Sequence, residues 1–227
     1  MNHGGWLASC VAVLALGLGA APGPVPTGRG QVVIIVGPPG SGKSVQATKL
    51  GKKYKVPVIS ITKLVQEGLK DYKAVSASSA AALASGEMLD DQAAVQLVSR
   101  RVDQPDAAKG FILDGYPNSE VQAKKLDAFV ESHGLRVPKV VVLVADDDVV
   151  RARLLKRKRA DDTRENIDRR LQDYHREEAF LNSWYTPANT VRVDATRTPD
   201  QVFAEIETGL IILFRKKDFK TRDEPAQ

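Results

Sequence analysis

The stretch Gln31-Val32-Val33-Ile34-Ile35-Val36-Gly37-Pro38-Pro39-Gly40-Ser41-Gly42-Lys43-Ser44 decides how this chain is read. Its first part is one polar residue followed by an unbroken run of β-branched apolar residues, the pattern of a strand buried on both faces. Its second part, Gly37 to Ser44, fits G-x-x-x-x-G-K-[ST] at every fixed position. Glycines there allow backbone conformations that turn successive N–H groups inward, so that Gly37, Gly40, Ser41 and Gly42 make a cradle for phosphate. Lys43 is placed to reach the β and γ phosphates, and the Ser44 hydroxyl to ligate Mg²⁺. A bare Gly-rich turn between a strand and a helix is the plainer alternative, but it gives no reason for a lysine to open the helix. The expectation is a nucleotide-binding loop for ATP.

Working outward, the same strand type recurs at Phe111 to Leu113 and Val140 to Val144, with shorter stretches at Val56 to Ile59 and Val191 to Val193. Between them lie segments with helical character: Lys43 to Tyr54, Asp91 to Val102, Ser119 to His133, Val149 to Lys158, Thr163 to Tyr185 and Pro199 to Phe214. Alternation of this kind predicts an α/β fold, a parallel sheet with helices on both faces. The expected organisation is a core over residues 31–214, with a helical insert at 60–89 rich in Ala and Ser, a short basic lid at 156–162, and a charged tail at 215–227.

Composition agrees with one globular domain of 227 residues, at 43% hydrophobic and 27% charged. The formal net charge of +5 comes with few aromatics and interspersed acids, which points to small anionic ligands and away from nucleic acid. Cys10 is the only cysteine, so an intramolecular disulfide and a Cys-based zinc site are both excluded.

Residues 1–30 read as an apolar leader and Pro/Gly-rich spacer. Trp6 to Ala21 resembles a secretory h-region, yet no Lys or Arg precedes it, and Gly19-Ala20-Ala21 is followed at once by Pro22. Leu7-Ala8-Ser9-Cys10 looks like a lipobox with only Trp6 and Leu7 as its apolar lead. At 16 residues the run is shorter than the roughly 20 of an untilted span. A cleaved leader, an anchor and a mis-called start all remain open, and the expected location is the cytoplasm.

Two further features carry chemistry. In Leu113-Asp114-Gly115-Tyr116-Pro117 an Asp stands at the carboxyl end of a strand beside the loop, where it can hold Mg²⁺ through water. Arg153 and Arg157 are four residues apart and share a helix face, while Arg159 lies beyond the helix end. Charge spread over a transferring phosphoryl group calls for such a cluster of cations. Asp162-x-x-Glu165 resembles a capping box, and of Arg169 and Arg170 only one can face the site.

The loop followed by Gln46, Asp114-Gly115-Tyr116-Pro117 with Gln122 after it, and Arg159-Ala160-Asp161-Asp162 followed by Arg170-Leu171 resemble, in order and spacing, the adenylate kinase family of nucleoside monophosphate kinases. The resemblance runs from Gln31 to Phe214. It implies a P-loop NTPase three-layer sandwich with a five-stranded parallel sheet, an acceptor-binding insert and a lid. The implied reaction is ATP + AMP ⇌ 2 ADP with Mg²⁺, run by a monomer.

Carried over by residue, Lys43 grips phosphate, and Arg153, Arg157, Arg159 and Arg170 stabilise the transferring group. Gly37 to Val45 and Arg157 hold ATP, and the Asp194-Ala195-Thr196-Arg197 turn meets its adenine. Ser60, Lys63, Gln66, Leu89, Gly115, Asn118 and Gln122, with Arg159 and Arg170, form the acceptor side. Gly115 and Gln122 contact the acceptor base.

Departures fall in three places. Ser44-Val45 stands where the family has Gly-Thr after the lysine, which moves the hydroxyl by one position. Ser60-Ile61-Thr62-Lys63-Leu64-Val65-Gln66 replaces S-T-G-D-x-x-R, and Asn118 replaces the arginine after D-G-[FY]-P. Two lost charge-assisted contacts cost about 3 to 6 kcal/mol, or about 10² to 10⁴ in kcat/KM, with Lys63 a partial point-charge substitute. The lid is shorter than in the short-lid members. Two alternatives therefore stand beside the leading reading: an ATP-binding protein that has lost acceptor activity, and a P-loop kinase for a different small acceptor.

Overall fold

The computed structural model describes residues 30–64, 89–136, 138–159 and 161–215. The leader to residue 29, most of the expected insert (65–88, with Gln66), Ala160 and the tail from 216 lie outside the described residues.

Five strands form one parallel sheet: β1 (Gln31–Val36), β2 (Val58–Ser60), β3 (Gly110–Asp114), β4 (Lys139–Val144) and β5 (Thr190–Asp194). The helices among the described elements are α1 (Lys43–Tyr54), α2 (Asp91–Val102), α3 (Glu120–Ser132), α4 (Asp147–Arg157), α5 (Arg164–Trp184) and α6 (Pro199–Arg215). Strand order is β2-β3-β1-β4-β5.

The unbroken apolar run of β1 has its explanation in the two faces of the sheet. Val32, Ile34 and Val36 pack with Leu97 and Val98 of α2, Leu126 and Val130 of α3 and Leu181 of α5. Val33 and Ile35 pack with Ala47 and Leu50 of α1 and with Val202, Ile206 and Leu210 of α6. Each such side chain contributes roughly 1.5 to 3 kcal/mol when fully buried, and β1 spends no position on a solvent face.

The register positions the site. Ile35 pairs with Asp114 and Asp114 with Ser60, so the carboxyl ends of β1, β3 and β2 lie level. The chain leaves β1 toward β2 and β3 on one side and later adds β4 and β5 on the other. Such a reversal opens a crevice at the carboxyl edge. The loops after β1, β2 and β3 all emerge there.

Element boundaries differ from the sequence expectation for local reasons. β2 begins at Val58 instead of Val56, because Pro57 has no N–H for the ladder and takes part only through its carbonyl, which accepts from Ile112 N at 3.0 Å. β3 and β5 each run one residue further at both ends, since pairing continues past the apolar core residues. α4 starts at Asp147, where Asp147 and Asp148 complement the helix dipole, and stops at Arg157 as Lys158 turns left-handed at φ 57°. The capping box expected from Asp162 and Glu165 is not formed. Thr163 is the N-cap of α5 and accepts from Asn166 N at 3.2 Å, which frees Asp162 for the arginines described below.

Candidate active site

α1 begins without a side-chain cap and without an acid in its first turn, so its first N–H groups and its dipole are left for an anion. The loop before it passes close to β4 and α4. Gly37 adopts φ +149°, and a Cβ there would meet the Leu143 carbonyl oxygen at 2.6 Å. Gly40 is left-handed at φ +82°, with the Leu154 side chain 2.9 Å from where its Cβ would be. Backbone sterics therefore require both glycines, Gly37 at a fixed position of the motif and Gly40 at a variable one. Ser41 Oγ is buried and makes no hydrogen bond among the described residues.

Lys43 Nζ donates to the carbonyl oxygens of Gly37 at 2.7 Å and Pro38 at 3.0 Å, so the ammonium is folded over its own loop. Loss of hydration pushes its pKa down, while Asp114 and Glu177 pull it up and Arg157 pushes it down. Ser44 Oγ donates to Asp114 Oδ2 at 2.6 Å, bringing together the two residues read from the sequence as Mg²⁺ partners. Both are oxygen donors, and among the described residues no group of three or more His, Cys, Asp and Glu side chains is assembled for a metal. That donor set fits a hard ion that takes few protein ligands and draws the rest from phosphate and water.

A cleft of about 300 Å³ opens over this loop. Gly37, Lys43 and Ser44 line it together with Ser60, Leu89, Gly115, Asn118 and Gln122, so both expected halves of the site share one cavity. Ile61, Thr62 and Ala94 complete the wall nearest β2 and α2. Lys63 is exposed and is not among the lining residues, and Val45 is also exposed.

The arginines separate. Arg157 makes a two-pronged bond to Asp162, Nε to Oδ2 at 2.9 Å and Nη2 to Oδ1 at 2.7 Å. Arg170 lines the cleft and donates to Asp161 Oδ2 at 2.6 Å and Asp162 Oδ1 at 3.4 Å. Arg169 instead donates to Asn166 Oδ1 at 3.1 Å, as expected if only one of the pair faces the site. The backbone N–H of Arg159 donates to Asp162 Oδ2 at 3.2 Å while its side chain is exposed.

Arg153 goes elsewhere. It donates to the Ala195 and Thr196 carbonyls at 2.7 and 3.1 Å, tying α4 to the β5–α6 turn, and it does not line the cleft. The expected sharing of one helix face by Arg153 and Arg157 therefore does not bring their guanidinium groups together. Arg197 pairs with Asp194 and Glu205 on the surface.

Asp162 is the hub of the cation cluster, and its side chain is fully buried while that of Arg157 is 34% exposed. The Arg157 hydrogen bonds hold the Asp162 carboxyl below the ordinary range, helped by the Arg159 N–H and the charges of Arg157 and Arg170. A depressed carboxylate pKa contributes stability that is present above the unfolded value near 4 and is lost as pH falls through the folded value. Asp162→Ala is expected to cost about 2 to 3 kcal/mol at pH 7, a buried-pair value discounted for the exposure of Arg157. Urea titrations of both proteins should show this gap shrinking below about pH 4. An equal gap at pH 7 and pH 2.5 would count against the pairing.

Sequence reasoning missed the α5 wall. Asp173, Tyr174, Glu177 and Leu181 line the cleft beside Arg170. They follow Arg170 at three, four, seven and eleven residues, a single stripe at helical period that was available in the sequence. Glu177 has its pKa pushed up to about 7, first by burial, with Lys43 opposing and Asp173 reinforcing the shift. Asp91, which holds Gln122, was missed as well.

A five-stranded parallel sheet with a glycine cradle after its central strand defines a P-loop nucleotide-binding protein of the α/β class. A profile of the adenylate kinase family matches residues 35–190. The adenylate kinase of Mycolicibacterium paratuberculosis is 39% identical over 172 residues, covering 76% of this chain and 94% of the relative. That of Chelativorans sp. is 33% identical over 186 residues, covering 77% and 96%, and that of Methylorubrum populi is 33% identical over 196 residues, covering 82% and 98%. This chain belongs to the adenylate kinase family. No helix among the described residues is long and apolar enough to cross a membrane.

Proposed function

We propose that this chain transfers the γ-phosphoryl group of ATP to AMP, forming two ADP. The supporting observation is that the phosphate cradle and the residues after β2 and β3 line one cleft, so donor phosphate and acceptor phosphate can be brought together in one cavity. Lys43 leaves the Gly37 and Pro38 carbonyls and turns to the β and γ phosphates. Ser44 and Asp114 would hold Mg²⁺, which would supply charge neutralisation to the phosphates when bound. The N–H groups that open α1 take the phosphate oxygens.

Arg170, which lines the cleft, meets the equatorial oxygens as charge spreads over them, and Arg157, which is not among the lining residues, joins it by turning from Asp162. Arg159 joins from the exposed connection between α4 and α5. Gly115 and Gln122 meet the acceptor base, with Ser60 and Leu89 on its other sides. The reaction is placed in the cytoplasm, where both nucleotides are found, and is assigned to a monomer.

Asn118, where the family carries an arginine, favours a second reading in which the acceptor is another small phosphate. A coupled assay with ATP, Mg²⁺ and a panel of nucleoside monophosphates separates the two. Turnover is expected with AMP above the other monophosphates. ATP binding without transfer to AMP would overturn the proposal, and transfer to a different acceptor would establish the second reading.

A further inference from the structure

We propose that Asp91 is a positioning residue that makes the acceptor end of the cleft choose 6-amino over 6-oxo purines, by locking the side-chain amide of Gln122 in one orientation. This rests on reading that end of the cleft as a purine monophosphate subsite.

Gln122 is buried, lines the cleft, and belongs to the first turn of α3. Its amide is held at both ends. Nε2 donates to Asp91 Oδ1 at 2.8 Å, and Oε1 accepts from the backbone N–H of Asn118 at 2.8 Å. A carboxylate only accepts and a backbone N–H only donates, so a flipped amide would set oxygen against oxygen and N–H against N–H. The orientation therefore follows from the chemistry of its neighbours. Asp91 is itself held, because Ser119 Oγ donates to the same Oδ1 at 2.7 Å and accepts from Gln122 N at 3.2 Å. Asp91, Ser119 and Gln122 form a closed ring of hydrogen bonds between the first turns of α2 and α3.

A side-chain amide has two donors and two acceptor lone pairs, and each end of Gln122 has spent one. What remains is one N–H and one lone pair, in fixed order along the amide. A 6-amino purine offers a donor at its amino group beside an acceptor ring nitrogen. A 6-oxo purine offers an acceptor oxygen beside a ring N–H, which is the reverse order. For a base held in one register, the locked amide matches only one of them, and mismatch leaves buried polar groups unpaired. Without Asp91, the amide keeps only the Asn118 N–H and loses one of the two partners that fix its orientation.

The test is calorimetric binding of AMP and IMP, which differ only in this part of the base edge, to the full chain without ATP. Wild type is compared with Asp91→Ala, Asp91→Ser and Asp91→Asn, with circular dichroism as the folding check. Wild type should prefer AMP. Asp91→Ala should weaken AMP and shrink the AMP-to-IMP ratio by about tenfold, whereas Asp91→Asn, which keeps an oxygen acceptor at the same place, should stay within about threefold of wild type. Asp91→Ser keeps a short polar side chain that cannot reach Gln122, and it decides the matter should the alanine variant not fold.

An unchanged ratio in a wild type that prefers AMP would overturn the role of Asp91 and leave the proposed reaction standing. Equal weakening of both nucleotides would make Asp91 merely structural and also overturn it. A wild type that binds neither nucleotide would remove the subsite and this inference together. A ratio that responds to Asp91 in a protein without phosphoryl transfer would uphold the inference and remove the reaction.

Discussion

Lys43→Ala is expected to lower phosphoryl transfer by about 10³-fold or more while leaving the fold intact. The side chain is partly buried and, among the described residues, hydrogen-bonds to the Gly37 and Pro38 carbonyls of its own loop, so its removal takes away no core contact among them. Alanine is a strong helix former and suits the first position of α1. What the variant loses is the one ammonium among the described residues that lines the cleft over the cradle. Glu177, whose pKa burial pushes up to about 7 against the opposing charge of Lys43, is pushed further up in the variant and carries less charge at neutral pH.

Steady-state kinetics with circular dichroism would check this. A folded Lys43→Ala protein with wild-type turnover would remove the loop from the mechanism.

Restoring arginine on the acceptor side should work in the opposite direction. Asn118 lines the cleft and its backbone N–H serves Gln122, so Asn118→Arg alters the wall without removing the bond that orients the amide. Combined with Gln66→Arg, it returns two guanidinium forks to the place where the family sequence has them. From about 1 kcal/mol upward per contact, discounted for imperfect geometry, kcat/KM for AMP should rise by about tenfold to a hundredfold. The KM for ATP should stay within about twofold, because the cradle residues Gly37 to Ser44 are unchanged. Initial-rate measurements at saturating ATP would read the gain directly. No gain in a folded protein that binds ATP normally would mean that the acceptor is not AMP.

The sequence by itself determined the donor half of this protein. Eight contiguous residues carry the phosphate cradle, and their chemistry is local: glycine backbone freedom, helix-opening N–H groups and a lysine one bond from the loop. The five consecutive β-branched residues of β1 likewise point to a strand buried on both faces, which is how β1 sits in the sheet. The Asp114 partnership with Ser44 was legible for the same reason, since strand ends beside a P-loop come level in a parallel sheet.

Only the tertiary structure decided which polar groups act on which. Arg153 and Arg157 lie four residues apart on α4, about 6 Å along its axis, and that rise delivers one to the β5–α6 turn and the other to Asp162. Helical period states which face a side chain leaves from, and the neighbour it meets depends on chains 5 and 42 residues away. Asp162, read as a helix cap, became the hub of the arginines because Thr163 took the cap. Asp91 controls Gln122 across 31 residues of sequence, through a packing of α2 on α3 that no motif encodes. Motifs record chemistry set by adjacent residues; orientation of a side chain that can bond in two ways is set by what the fold brings against it.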